Sequence, residues 1–465
     1  MKMQINPHIF REYDIRGVVD KDLTTESVKL IGQGFGTYLI SRGVQTCVVG
    51  RDVRLSSLSF RDALEEGLLS TGISVLDIGT VPTPLLYFAL FEEEPNCGVM
   101  ITGSHNPPNF NGFKLCVDQT SIHGADIQKI KKIIDSGDFT EGKGELTEKK
   151  LLQDYVQTVL GKVKLSRPIK VVIDSGNATG GLVAPKLLKE MGAEVIELYS
   201  EPDGNFPNHH PDPTVPENMT VLMERVVKEK ADLGIGFDGD SDRIGVIDEN
   251  GKMVLGDYLL LIYARDLLSR RPAQNKIIFE VKSSQNLVKE IEKHGGIPIM
   301  GAAGHSLIKD RMHKENSLLG GEVSGHIFFG ENFYGYDDAI YAAAKLLEIL
   351  SKSKETVSQM LSSLPKTFST PEVRLNCPDS VKFKIVSELV KAFSTTHEVI
   401  TIDGVRIDFG HGWGLIRSSN TQPVIVVRIE SETLEGLEEI KQALMDKMKK
   451  YPEITGYEDL NTVIS

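Results

Sequence analysis

A short polar stretch, ITGSHNPPNFNGFK at residues 101–114, combines residue types that suit chemistry on a hydroxyl group. It places Ser104 beside His105 and ends on Lys114. Two consecutive prolines and several turn-forming residues restrict the backbone, so the loop can hold one side chain in a fixed position. We interpret Ser104 as the candidate reactive residue, although Ser104 and His105 capping a turn is the plain alternative.

The stretch DGDSDR places Asp238, Asp240 and Asp242 at alternate positions between two apolar runs. Three crowded carboxylates require a cation, and an all-oxygen ligand set suits a hard ion such as Mg²⁺. A calcium EF-hand loop has similar spacing, with Glu249 at its twelfth position, but it needs glycine where this chain has Arg243. A solvated acidic turn is the other alternative. The pattern favours a metal site.

Ser104 acquires a role from this metal site. A divalent ion held by three carboxylates can take a further ligand from a seryl oxygen or from a phosphate carried on it. An acyl hydrolase is less consistent with the sequence, since TGSHN is not a G-x-S-x-G elbow. Neighbouring residues of an extended segment also point apart, so we expect His105 to be badly placed as a base for Ser104.

Phosphoryl transfer depends on positioning and on positive charge around the transferring group. Lys114, Arg16 and Arg243 are the candidates to supply that charge, although a lone lysine or arginine is most often a surface residue. Lys282 and His305 follow strand-like segments and are further candidates, and the sequence alone leaves their roles open.

Two later loops have the composition of ligand-binding segments. GEVSGH contains Glu322, Ser324 and His326, which can bind sugar hydroxyls, but a polar turn would look the same. RSSNTQP follows an apolar strand and is rich in phosphate donors. We take these donors to be Arg417, Ser418, Ser419, Asn420 and Thr421. A P-loop motif is absent from the sequence, and GQGFG at 32–36 lies within a helical pattern rather than a dinucleotide-binding fingerprint.

The elements that must position these loops repeat along the chain. Strand–loop–helix patterns begin near Cys47, Ile169 and Lys276, about 110 to 120 residues apart. In each, a later strand leads into one of the polar loops, and ligands of open α/β sheets bind beyond the carboxyl ends of strands. The sequence therefore predicts three related α/β domains around a shared cleft.

After residue 366 the pattern changes to amphipathic helices around the strands GVRIDFG, GWGLIRSS and PVIVVRIE, which indicates an α+β domain. The predicted boundaries fall in TEGKGELTEKK, DENGK and SSLPKTFSTPE. The predicted domains are residues 1–150 with the serine loop, 151–252 with the metal loop, 253–366 with the sugar loop and 367–465 with the phosphate loop.

Composition narrows the class of protein. The 465 residues have a formal net charge of −13, which disfavours general nucleic-acid binding. We see neither a signal peptide nor an apolar run long enough for a membrane span, so we expect a cytoplasmic protein that does not bind membranes. Four scattered cysteines predict buried reduced thiols rather than a zinc site or disulfides.

The combined motifs resemble those of the α-D-phosphohexomutases, most closely the bacterial phosphomannomutases/phosphoglucomutases. The resemblance covers nearly the whole chain, from FREYDIRG through the serine and DGDSDR loops to GHSLIK, GEVSGH and GVRIDFGHGWGLIRSSNTQP. It implies a heart-shaped molecule of three related α/β domains with mixed sheets plus a C-terminal α+β domain around a central cleft.

The resemblance also implies roles for individual residues. Ser104 would carry the phosphoryl group and bridge to Mg²⁺ bound by Asp238, Asp240 and Asp242. The sugar loop would be Glu322, Ser324 and His326, and the phosphate loop Arg417, Ser419, Asn420 and Thr421. Other positions matching the cleft are Tyr13, Arg16, His105, Lys114, Arg243, Lys282 and His305, with Lys114 and His305 as possible proton-transfer groups.

The implied reaction is reversible transfer of a phosphoryl group between the 1- and 6-positions of a hexose phosphate through a phosphoserine. Glucose or mannose 1,6-bisphosphate would be the intermediate and activator, and the enzyme would be a monomer or a weak homodimer. Gly103, Val323 and Asn420 stand where the phosphoglucosamine branch usually has alanine, glutamine and glycine, so mannose and glucose phosphates are favoured. Phosphoglucosamine mutase, a metal-dependent sugar phosphatase and a non-catalytic sugar-phosphate sensor are the alternatives.

Overall fold

The structure, a computed structural model, describes residues 5–271, 275–419 and 422–462. In the first α/β domain, β4 is fully buried and lies centrally, with β5 antiparallel and β2 parallel to it. The sheet order is β1-β5-β4-β2-β3-β7, with β6 on β5. The elements are β1 (Ile15–Val18), α1 (Thr25–Ser41), β2 (Thr46–Arg51), α2 (Ser57–Ser70), β3 (Ser74–Thr80), α3 (Thr83–Glu92), β4 (Gly98–Ile101), β5 (Phe110–Val117), β6 (Thr120–Ser121), α4 (Ala125–Ser136) and β7 (Leu146–Glu148).

The second domain repeats this plan in a sheet of order β12-β11-β10-β8-β9. Strand β10 is fully buried, pairs with β8 in parallel and forms an antiparallel hairpin with β11. The elements are α5 (Leu152–Lys162), β8 (Lys170–Asp174), α6 (Ala184–Glu190), β9 (Glu194–Leu198), α7 (Thr220–Glu229), β10 (Leu233–Phe237), β11 (Ile244–Ile247) and β12 (Met253–Val254).

The third domain has the sheet order β14-β13-β15-β16, with β15 parallel to β13 and antiparallel to β16. Its elements are α8 (Gly256–Arg270), β13 (Lys276–Glu280), α9 (Gln285–Lys293), β14 (Ile297–Gly301), α10 (His305–Glu315), β15 (Leu319–Gly321), β16 (Ile327–Phe329), α11 (Ala339–Lys352) and α12 (Val357–Leu361). The four-strand orders β5-β4-β2-β3, β11-β10-β8-β9 and β16-β15-β13-β14 are equivalent in order and direction. The prediction of three related α/β domains with mixed sheets is confirmed.

The fourth domain is an antiparallel sheet of order β17-β22-β21-β20-β19, with β18 also on β22. Helices α13 and α14 pack against it, as the sequence predicted for an α+β domain. The elements are β17 (Phe368–Ser369), β18 (Val373–Asn376), α13 (Lys382–Ser394), β19 (Val399–Ile400), β20 (Val405–Asp408), β21 (Gly412–Ser418), β22 (Val424–Ser431) and α14 (Leu434–Met448). The exact boundaries at 150, 252 and 366 stay a prediction.

The buried hydrophobic clusters do not follow the division of the molecule into four sheets. One buried cluster runs through the first three domains and includes Leu86, Tyr155, Ile173 and Tyr341. The fourth domain has a separate core around Phe393 and Ile429. Because a shared core resists relative movement, the loops of the first three domains are held in a fixed arrangement, whereas the fourth domain is attached by fewer apolar contacts.

Cys47, Cys97, Cys116 and Cys377 are free and buried, as the sequence predicted. Within the described ranges, none of the helices combines the length and the apolar composition that a bilayer crossing needs.

Glu65, on the inner side of α2, is a buried carboxylate whose negative charge is only weakly compensated by a neighbouring cation. It is 4% exposed, and the Arg61 Nε lies 3.8 Å from its Oε2. Burial, reinforced by the Asp77 carboxylate, raises the pKa of Glu65 to about 7. The folded protein therefore binds this proton more tightly than the unfolded chain, in which the ordinary value is near 4.5.

We expect Glu65→Gln to stabilise the protein more at pH 8 than at pH 5. Ionisation of Glu65 costs stability progressively from about pH 4.5 to about pH 7, by up to about 3 kcal/mol, and the cost is complete above that range. The thermal unfolding midpoint at the two pH values measures the difference. Glu66→Gln, at a side chain that is 64% exposed, is the control. An equal change at both pH values would contradict the assignment.

Candidate active site

The loop between β10 and β11 brings the three predicted aspartates together. Asp238, Asp240 and Asp242 are fully buried, and an oxygen of each lies within 4.8 Å of the others. Among the described residues, Oδ1 of Asp240 and Oδ1 of Asp242 have no hydrogen-bond partner. Buried carboxylate oxygens without partners are costly unless a cation binds them. The donor set therefore fits a divalent cation that prefers oxygen ligands.

Lys114 on β5 supplies part of the charge that this cluster requires. Its Nζ lies 2.8 Å from Oδ2 of Asp240 and also donates to Asp242. Burial and the neighbouring carboxylates raise the pKa of Asp238 well above its usual range. Burial alone would also raise the pKa of Asp240, but Lys114 outweighs it and the net shift is downward. One ammonium group thus balances only part of three negative charges.

Ser104 lies in the β4–β5 loop, directly against the metal loop. Its Oγ donates to Oδ2 of Asp238 at 2.8 Å, and the side chain is buried. The loops approach so closely that a Cβ at Gly239 would lie 2.3 Å from the Ser104 carbonyl oxygen. Thr83, at the start of α3, adds a second link through a 2.5 Å hydrogen bond to Asp240. The first two domains therefore assemble one serine–aspartate site.

His105 contradicts one expectation. We predicted an extended backbone that would turn it away from Ser104, but Ser104 has φ of +48° and its Oγ lies 3.1 Å from Nδ1 of His105. The left-handed conformation curls the chain and brings the two side chains to the same side. Burial, with the Arg243 guanidinium, lowers the pKa of His105 well below its usual range, so a neutral imidazole faces the hydroxyl.

Two further histidines meet at a carboxylate that the sequence analysis did not single out. Oδ2 of Asp337 lies 3.0 Å from Nδ1 of His326 and 3.4 Å from Nδ1 of His305. Arg243 donates from Nε to Nε2 of His326 at 2.9 Å, which leaves the proton of a neutral His326 on Nδ1, facing Asp337. Lys309 donates to the other oxygen of Asp337 at 2.9 Å.

Burial alone would raise the pKa of Asp337, but Lys309 and the two histidines outweigh it, and the pKa lies well below its usual range. The pKa of His305 is lowered, chiefly by burial. The neighbouring Asp338 caps α11 by accepting the Tyr341 amide at 2.8 Å, so the helix fixes the position of Asp337. Asp337 thus lies beside both rings, which stack on each other with their centroids 5.3 Å apart.

The sugar loop, residues 321–326, connects β15 to β16. Glu322 is buried and accepts the Gly304 amide at 2.7 Å, while Ser324 is half-buried. Tyr13 reaches this region from the first domain and donates to the Ala303 carbonyl at 3.1 Å. Tyr13, which precedes β1, and Gly304, which precedes α10, therefore lie close to the sugar loop. This is expected for loops that line one shared cleft.

Lys282 and Arg417 form a second group of cations, each held by a carboxylate. Lys282 lies 2.7 Å from Glu372, and Arg417 donates to Asp403 at 2.8 Å. Asp403 also accepts the Ala303 amide at 3.1 Å, which connects the fourth domain to the third-domain loops. The pairs keep both cations buried and charged.

Of the remaining predicted positions, some lie among the described residues and two lie outside them. Arg16 donates to Asp14 at 2.6 Å and to Asn106 in the serine loop. Ser419 is buried and accepts the Gln422 amide at 3.1 Å. Asn420 and Thr421 lie outside the described residues. The structure brings the described candidates into one connected set of loops, and their individual roles stay predictions.

Several residues in this set were missed by sequence reasoning because each acts through another side chain. Asp337 in GYDDAI, Glu372 in STPE and Asp403 in TIDG look like ordinary turn residues or caps. Arg406 and Arg428 are similar: they donate to the carbonyls of Val281, Ser283 and Lys282 from the fourth domain. The sequence gives only a weak signal for these residues, which is a charged side chain within an otherwise apolar strand or turn.

Comparison with known proteins agrees with this geometry. Four family models match the chain in order: phosphoglucomutase/phosphomannomutase alpha/beta/alpha domain I at residues 7–141, domain II at 153–251, domain III at 255–368 and the C-terminal domain at 372–447. Fold and site together define the class, the hexose phosphate mutases, which are isomerases.

The chain belongs to the phosphoglucomutase/phosphomannomutase family. It is 44% identical over 442 residues to a phosphomannomutase/phosphoglucomutase of Pseudomonas aeruginosa, covering 95% of each chain. It is 44% identical over 455 residues to a phosphoglucomutase of Neisseria gonorrhoeae, covering 97% of this chain and 98% of the other. A crystal structure of a family protein from Burkholderia thailandensis superimposes with a TM-score of 0.91 at 39% identity, covering 96% and 98%.

We expect Asp240→Asn to weaken binding of Mg²⁺ on the order of 100-fold, because it removes one of three carboxylate ligands. Isothermal titration of the full-length protein with MgCl₂ measures the dissociation constant. Asp266→Asn, at an aspartate on α8 that pairs with Arg270, is the control and should bind Mg²⁺ like the wild type. Unchanged affinity in Asp240→Asn would show that the metal does not bind at this loop.

Proposed function

We propose that this mutase interconverts the 1- and 6-phosphates of glucose and of mannose through a phosphoserine at Ser104 and a 1,6-bisphosphosugar. The observation that carries the proposal is the buried Ser104 hydroxyl, 2.8 Å from Asp238 within the three-aspartate cluster. A relative named for both sugars and one named for glucose alone, at equal identity, support a dual substrate range.

Mg²⁺ is the proposed cofactor, held by Asp238, Asp240, Asp242 and the Ser104 oxygen, where it would offset negative charge on the transferring phosphoryl group. The chain supplies further positive charge at fixed positions. Lys114 remains protonated because its two carboxylate partners outweigh burial and raise its pKa. Arg243, in the metal loop, and Arg16, on β1 and bonded to Asn106 of the serine loop, are the other proposed sources of positive charge.

His305 and Lys114 are the proposed proton-transfer groups for the attacking and leaving sugar hydroxyls. His305 is neutral and half-buried, and Asp337 orients its ring, so one nitrogen can accept a proton from a hydroxyl. His105 is a further neutral ring, beside Ser104 itself. A lowered histidine pKa keeps the base form available at neutral pH.

Binding of the sugar and of its distal phosphate is assigned to the remaining loops. Glu322, Ser324 and His326 would bind sugar hydroxyls. The phosphate would lie against Lys282 and the phosphate loop, whose proposed donors are Arg417, Ser419, Asn420 and Thr421. Since Lys282 and Arg417 already pair with carboxylates, an incoming phosphate must compete for charged donors that are held in position. Glucose or mannose 1,6-bisphosphate would be released only rarely and would act as activator.

We propose a cytoplasmic enzyme that works as a monomer or a weak homodimer. Four buried free thiols support a reducing compartment.

A coupled assay tests the function. Glucose 1-phosphate or mannose 1-phosphate is supplied with Mg²⁺, with and without a trace of the matching 1,6-bisphosphate, while 6-phosphate and free phosphate are measured. Conversion of both sugars without phosphate release, stimulated by the bisphosphate, is the expected result. Stoichiometric release of phosphate would mean a phosphatase. Failure with both sugars and turnover of glucosamine 6-phosphate would mean a phosphoglucosamine mutase.

We expect Ser104→Ala to lower kcat by several orders of magnitude while hexose phosphate binding persists, because the phosphoryl carrier is lost and the binding loops are kept. The same assay gives kcat, and calorimetric titration with glucose 6-phosphate gives the affinity. Ser59→Ala, at an exposed serine of α2, is the matched control. Turnover near the wild-type rate would rule out Ser104 as the carrier.

We expect Arg417→Ala to raise KM about 10- to 100-fold with a smaller effect on kcat. A charge-assisted phosphate contact contributes roughly 1.5–3 kcal/mol, and this contact exists in ground and transition states alike. Initial-rate measurements with both sugars give the two constants. Arg225→Ala, at an arginine that pairs with Glu229 on α7, is the control. An unchanged KM would count against a phosphate site at Arg417.

A further inference from the structure

Arg54, which follows β2, lies under the serine loop and is the side chain that the mechanism leaves unused. It is a buried cation with 0% side-chain exposure. Its guanidinium stacks over the Phe206 ring of the second domain, 5.2 Å from the ring centroid. A buried arginine at this position needs partners for all five of its N–H groups.

Those five N–H groups all have acceptors, and four of the acceptors are carbonyl oxygens of the serine loop. Nη2 donates to the carbonyls of Ser104 at 2.8 Å and Asn106 at 2.6 Å. Nη1 donates to the carbonyls of Pro107 at 2.6 Å and Phe110 at 2.9 Å. Nε donates to Oδ2 of Asp52 at 3.1 Å. One planar group thus fixes the backbone of the loop at four points.

Asp52 extends this network to the other side of Ser104. Its Oδ2 accepts the Gly103 amide at 3.2 Å, and its Oδ1 accepts the Ser57 hydroxyl at 2.6 Å and the Arg54 amide at 3.0 Å. The chain is therefore held immediately before the serine by Asp52 and at and after it by Arg54. Between those points Ser104 adopts the left-handed φ of +48° that directs its hydroxyl to Asp238.

The same network brings the Arg54 guanidinium close to Gly103. A Cβ at this position would lie 2.5 Å from both Nε and Cζ of Arg54. A side chain at this position would require the guanidinium, which makes five hydrogen bonds, to shift. Glycine therefore gives the guanidinium the most room against the loop carbonyls.

We propose that Arg54, paired with Asp52, is a positioning residue for the phosphoryl-transfer step. This inference rests on the proposed function of Ser104. Arg54 touches neither substrate nor metal; it fixes the backbone that aims the serine oxygen. Misplacement of a reacting group by about 1 Å lowers a rate on the order of 100-fold, so the predicted effect falls on kcat.

Arg54→Lys and Asp52→Asn test the proposal, since lysine has three donors for five acceptors and asparagine replaces one of the two accepting oxygens of Asp52 by an amino group. We expect kcat to fall on the order of 100-fold in each, with KM within about 3-fold of the wild type. Arg61→Lys, at a half-buried ion-paired arginine of α2, should keep the wild-type kcat even where it lowers the unfolding temperature.

Amide hydrogen exchange of the peptide covering residues 103–111 gives a readout that does not depend on activity. We expect faster exchange in Arg54→Lys and Asp52→Asn than in the wild type and Arg61→Lys. A folded Arg54→Lys with kcat within about 3-fold of the wild type, or with unchanged exchange, would overturn the proposal. If Arg54→Lys does not fold, Asp52→Asn decides by the same two criteria. An inactive wild type would refute the proposed function, and exchange alone would then decide the role of Arg54.

Discussion

The structure depends on one electrostatic constraint: three buried carboxylates lie within a few ångströms of one another. Asp238, Asp240 and Asp242 repel each other, and burial adds to the cost. Lys114 offsets part of that charge from the first domain, and Arg243 approaches from the metal loop itself. The cluster thus draws its compensating charge and hydrogen bonds from the first domain, through Lys114 and Ser104, and this places the serine loop and the metal loop against each other.

The rest of the site extends this principle, because each cation beyond the metal loop is held by a dedicated carboxylate. Asp337 holds Lys309 and faces two histidines, Glu372 holds Lys282, and Asp403 holds Arg417. Such pairs keep side chains charged and oriented in a buried site before a substrate arrives. The shared core of the first three domains keeps those loops in register, while the separate core of the fourth domain lets it carry Arg417 as a unit.

Much of the fold could be predicted because its signals are local. Alternating strand, loop and helix patterns at a spacing of about 115 residues gave three related domains, and the change in pattern after residue 366 gave the fourth. The loops rich in serine, aspartate and phosphate donors were recognisable for the same reason. Residues that support others were not: Asp337 faces histidines 11 and 32 positions away, and Arg54 donates to loop carbonyls 50 to 56 positions away. A local sequence pattern does not record such contacts.

The sequence by itself determined which side chains are available: one serine in a stiff loop, three alternate aspartates and clusters of donors after strands. Tertiary structure decided where they point. It set the left-handed φ at Ser104 that brings His105 within 3.1 Å of the hydroxyl, against the expectation of an extended segment. It also joined Asp337 to both histidines. The physical reason is that a loop conformation is fixed by its long-range hydrogen bonds, here the four that Arg54 donates to the serine loop, and not by the loop residues alone.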